Sequence, residues 1–84
     1  MSKIEFSSEE RAALVQQLRL YFTEELDQEI GQFDAEFLLD FISDELGPYF
    51  YNRGLYDAQA VLEKRMESVA EAIFELEKPT NFAR

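Results

Sequence analysis

Between positions 55 and 76 the apolar residues Leu55, Ala58, Leu62, Met66, Val69, Ile73 and Leu76 step by 3, 4, 4, 3, 4 and 3. That cadence is a heptad seam along one edge of a helix, and it does not fit the period of two that marks a strand. A helix from Leu55 to Lys78 would run roughly 35 Å at about 1.5 Å per residue, while a globule of this length is only about 24 Å across. A seam that long needs cover over its whole length. Part of it is therefore expected to pack against a second copy of the chain; the alternative is a compact three-helix bundle in which two other helices suffice.

Those two helices are legible upstream. Ile4 and Phe6 alternate with Lys3 and Glu5, too briefly for a strand, so residues 1–6 read as an arm. Ser7-Ser8-Glu9-Glu10 offers a Ser-x-x-Glu capping box, with acids suited to the positive end of a helix. A stripe of Leu14, Val15, Leu18, Tyr21, Phe22 and Leu26 carries that helix to about Leu26, and Gly31 is expected to mark the turn. A second helix opens near Phe33 and Asp34. Its apolar residues, Ala35, Phe37, Leu38, Leu39, Phe41, Ile42, Leu46 and Tyr49, cover well over half the circumference, as in a central helix touched on two sides. Gly47-Pro48 should kink or break it. The third helix begins either at Pro48, favoured at a first helical position, or after Asn52-Arg53-Gly54; Pro79 ends it and residues 79–84 form a loose tail. The expected architecture is all-α: one domain over residues 1–84, built as a three-helix bundle or helical hairpin plus a long C-terminal amphipathic helix, and dimeric.

Composition narrows the choice of partners. A chain of 84 residues buries only roughly 60 to 65% of its unfolded surface. With no Cys and no His it has no disulfide or zinc site to compensate, so homo-oligomerisation is the expected remedy. The formal charge of −10 repels phosphate backbones and anionic lipid alike, which argues against nucleic acid and membrane partners. No apolar run approaches the ~20 residues that span a bilayer, and the first residues lack a signal-peptide core, so a cytoplasmic protein is expected.

Between Arg19 and Arg53 there is no basic residue, yet nine carboxylates are interleaved with eight of the twelve aromatics. Two acidic rows step by four: Glu36, Asp40 and Asp44 on the second helix, and Glu63, Glu67, Glu71 and Glu75 on the third. Such a row is either a solvated face or, with Tyr56 and Phe74 along the second row's edge, a docking ridge for a basic protein surface. Charges inside the apolar stripes are more telling, because a buried charge needs a partner. If the first two helices form an antiparallel hairpin, Arg11 falls about one turn from Glu45 as a candidate buried ion pair, with Arg53 as a competing partner for Glu45. The same hairpin puts Glu25 beside Asp34, where the two could act as a metal or acid/base pair, while Asp34 by itself reads as a helix cap.

Catalytic templates are sparse. There is no thiol or imidazole, no serine with a recognisable base, and no glycine-rich phosphate loop, so no catalytic residue and no cofactor are expected. The surviving enzyme class is the carboxylate-metal, Mg-dependent nucleotide hydrolase. Glu24, Glu25, Glu36, Asp40 and Asp44 superficially suit it, but Glu36 and Asp40 are four apart rather than three, and the region lacks basic residues for phosphates. The Ile4-Glu5-Phe6 arm also prompts a ribbon-helix-helix regulator, weakened by the missing basic strand.

The stretch from Phe37 to Gln59, with Gly47-Pro-Tyr-Phe-Tyr-Asn-Arg-Gly-Leu-Tyr-Asp-Ala58 as its most specific part, taken with the Lys3-Ile-Glu-Phe-Ser start and the Glu75-Leu-Glu-Lys-Pro79 finish, resembles a bacterial family of short acidic proteins known only as a domain of unknown function. The resemblance runs to about Pro79 and brings no activity, cofactor or partner with it. It implies that the Gly-Pro-Tyr-x-Tyr-Asn-x-Gly-x-x-Asp-Ala segment acts as a unit. Tyr49, Tyr51, Asn52, Asp57 and Gln59 are then a polar junction that either caps two helix ends or lines a small binding site. The expected role is an uncharacterised protein-interaction or regulatory module acting as a homo-oligomer, not an enzyme.

Overall fold

The computed structural model describes residues 3–80, all of whose regular structure is helical. It contains α1 (Ser8–Glu25), α2 (Gln32–Phe41), a π-helical turn (Ile42–Leu46) and α3 (Gly47–Glu75). No strand occurs among the described residues, so the Ile4–Phe6 arm is not a strand. The chain divides into two compact units, Met1–Tyr51 and Asn52–Arg84.

In the first unit the start of α1 forms as its sequence dictates. The Glu10 backbone amide donates to the Ser7 hydroxyl at 3.1 Å, and the Ser7 amide donates to the Glu10 carboxylate at 3.0 Å. Both groups would otherwise be orphans at a helix end. α1 then stops one residue short of Leu26. The turn that follows is made by Asp27, whose φ of 52° is left-handed, while the Gln28 amide reaches back to the Phe22 carbonyl at 3.0 Å. Aspartate tolerates that conformation better than most residues. Gly31, the expected turn residue, serves instead as the extended N-cap of α2. Asp34 is therefore not the cap: it stands in the first turn of α2, where the helix dipole favours an acid.

The core of this unit is small. Val15 of α1 is buried with Ala35 and Leu39 of α2, and Leu14, Leu18 and Ile30 pack around them. Ala35, with the smallest side chain that still packs, brings the two backbones close. Polar contacts flank the seam: Arg11 meets Asp40, while Arg19 meets Gln32 and the Ile30 carbonyl. Positions that ascend along α1 thus descend along α2. The broad apolar surface of α2 is covered on one side only, because Phe33, Phe37 and Phe41, spaced by four, are all exposed.

Gly47-Pro48 does not break the helix. Proline lacks an amide hydrogen and its ring crowds the carbonyl four residues back, here Asp44. Asp44 lies inside the π-helical turn, where the Gly47 amide bonds to Ile42, five residues back. The wider turn relieves the crowding where an α-turn would not. Glycine before proline also has no Cβ to collide with the ring, and Gly47 keeps helical angles of −53° and −42°. α3 consequently runs from Gly47, with Asn52-Arg53-Gly54 inside it.

In the second unit every described residue from 52 to 80 is exposed. α3 ends at Glu75, and its last amides close tight turns from Leu76 to Ile73 and Glu77 to Phe74. Pro79 and Thr80 follow outside any helix, and the remainder of the expected tail, 81–84, lies outside the described residues.

Candidate functional site

Two surfaces carry the groups that the sequence singles out. The first lies where the arm meets α2. Ile4 rests against Gly47 so closely that a Cβ added there would stand 2.8 Å from the Ile4 Cδ1. Lys3 pairs loosely with Asp44 at 3.8 Å, across an exposed gap. Lys3, Ile4, Arg11, Asp40, Ser43 and Asp44 line an open groove of about 400 Å³. The sequence offered no hint of this seat beyond a glycine beside a proline. We expect Gly47→Ala to lower the melting temperature, and the part of that loss owed to the Ile4 contact to vanish when Ile4→Ala is present too. A double-mutant cycle by thermal melting should give a coupling of about 0.5 to 1 kcal/mol. Equal losses in the two backgrounds would separate the arm from Gly47.

Arg11 corrects the expected ion pair. Its guanidinium donates to Asp40 at 2.8 Å and to the Glu36 carbonyl at 3.4 Å, and Glu45 stands exposed in the π-helical turn. Helix packing sets the α1 register one turn away from the expected one. The pair that forms is not buried either, with 37% and 52% of the two side chains exposed. Its contribution is accordingly small, about 1 kcal/mol at most.

The carboxylates considered for a metal are dispersed. Asp40 is engaged with Arg11, and Glu36 accepts from Gln32 at 2.8 Å. Glu24 borders a separate groove of about 350 Å³ with Arg19 and Glu29. Glu25 closes α1 while Asp34 opens α2, both exposed. Among the described residues no three carboxylates gather closely enough to hold one ion.

The second surface is α3. Tyr49, Tyr51, Asn52, Asp57 and Gln59, expected at a junction of two helices, stand exposed along an uninterrupted one. No helix end lies between them, so there are no orphan backbone groups to cap. The Arg53 guanidinium lies 5.9 Å from the centre of the Tyr56 ring, a cation–π contact at the surface. Glu63, Glu67, Glu71 and Glu75 form an exposed row with no ion pair among the described residues. Along the neighbouring edge, Leu55, Leu62, Met66, Val69, Ile73 and Leu76 are 49% to 77% exposed.

These features define a small, acidic, all-helical protein, and no helix among its described residues is long and apolar enough to cross a membrane. The chain belongs to the DUF2164 family of uncharacterized conserved proteins, whose model matches residues 4–77. No curated protein matches the chain, and neither does any solved structure.

Proposed function

We propose that this protein is an interaction module that acts by binding and works as a homo-oligomer. One observation carries the reading: an apolar edge at heptad spacing from Leu55 to Leu76, with each of its large side chains about half exposed or more. Isolated helices in water are marginal, and most helical stability comes from covering an apolar face. A second copy offers the same face at the same spacing and so can cover it from end to end. The glutamate row lies off that edge and stays free to meet a basic protein surface, with Tyr56 and Phe74 beside it.

Self-association makes stability depend on protein concentration by mass action. Thermal melts followed by circular dichroism from micromolar to near-millimolar chain should therefore move upward with concentration. A melting temperature constant across that range would overturn the reading.

A further inference from the structure

We infer that two α3 helices pair parallel and in register, aligned by the amides of Asn52 and Gln59; this rests on the self-association proposed above. Within the second unit, Leu55, Leu62, Val69 and Leu76 recur at intervals of seven. Asn52, Gln59, Met66 and Ile73 do the same, each three residues earlier. The two sets are the core positions of one unbroken heptad, two of whose eight places hold amides instead of apolar side chains. Both amides stand exposed in the single chain.

The area is sufficient for a second copy. The six large apolar side chains of the seam, about half exposed or more, offer on the order of 500 Å² per protomer, which brings the pair to the roughly 1,000 Å² a specific interface needs. Flanking residues add to that figure.

Orientation follows from what each arrangement sets opposite the amides. Side by side and in register, Asn52 meets Asn52 of the copy and Gln59 meets Gln59, so each amide N–H donates to an amide oxygen across the seam. An antiparallel pair with full overlap sets Asn52 against Leu76 and Gln59 against Val69. Each amide then loses water and gains no partner. Sliding antiparallel helices until the amides meet would leave Met66 and Ile73 uncovered.

The flanking charges agree. In the centred antiparallel pair, Glu63 faces Glu63 of the copy and Arg65 faces Arg65, two like-charge contacts beside the axis. In the parallel pair Glu63 flanks Ala58 and Arg65 flanks Ala70, without repulsion.

The chain has no cysteine, so single thiols can report the arrangement. We expect Leu55→Cys, oxidised with diamide, to form a covalent dimer at least about tenfold faster than an equimolar mixture of Leu55→Cys and Ile73→Cys forms the mixed link. A faster mixed link in a chain that light scattering shows to be dimeric would overturn the parallel arrangement and leave self-association standing. A chain that light scattering shows to be monomeric throughout would remove both. Replacing both amides, as Asn52→Leu with Gln59→Leu, should raise the melting temperature and let the mixed link between positions 55 and 73 appear. An unchanged preference for the link between the two copies of position 55 would overturn the aligning role of the amides.

Discussion

Leu62→Glu combined with Val69→Glu should turn the protein into a monomer and strip much of the far-UV helix signal. Burying one such aliphatic side chain contributes about 1.5 to 3 kcal/mol, and a dimer holds four of them. Because Leu62 and Val69 are already about half covered within the single chain, the loss is about 3 kcal/mol or more, which weakens the dissociation constant by about a hundredfold or more. Glutamates in place of the aliphatics add the cost of drying a charge. α3 has no buried residue within the single chain, so without a partner its C-terminal part is left to intrinsic propensity, which rarely sustains a helix in water. The control is Glu67→Gln with Glu71→Gln on the acidic row, which should leave mass and ellipticity near their original values. A double glutamate variant that keeps both its mass and its helix signal would show that the edge is covered by nothing.

Leu39→Ala should destabilise the first unit by about 2 to 5 kcal/mol, the range for truncating a buried leucine. Only Val15, Ala35 and Leu39 are buried among the described residues, so one cavity removes a large share of the packing that joins α1 to α2. Phe37→Ala is the contrasting change. Phe37 has the larger ring, but it is 68% exposed against 5% for Leu39, and truncating it should cost no more than about 0.5 kcal/mol. Chemical denaturation of the two variants measures both values. If Phe37→Ala proved the more damaging, α2 would be covered on its phenylalanine side, as the breadth of its apolar surface first suggested.

What could be read in advance divides along physical lines. The capping box at Ser7 and Glu10 depends on four adjacent residues and on nothing distant, and it forms as the residues dictate. The helical periods of α1 and α3 are equally legible, because spacing by three and four survives whatever packs against it. The face of α2 that becomes core is not, since its stripe is wide enough to offer Phe33, Phe37 and Phe41 as readily as Ala35 and Leu39. Small size decides it: Ala35 allows the close approach that a phenylalanine would prevent. The partner of Arg11 lies one turn from the expected one because the register between two helices depends on a loop conformation. That loop turns at Asp27, in a left-handed state the sequence does not announce. Gly47-Pro48 reads as a kink or a break because the rule for proline assumes α-helical bonding, and a single π-helical turn lets the helix continue through it. The glutamate row of α3 is visible as a pattern, yet spacing alone does not distinguish a solvated face from a docking ridge.

The proposed pairing of α3 is tested most directly by sedimentation equilibrium of the intact chain at several concentrations and at physiological salt. A weight-average mass rising toward twice the 9.9 kDa of one chain, and returning to a single chain in Leu62→Glu with Val69→Glu, is the expected result. A mass of one chain at every concentration would contradict it.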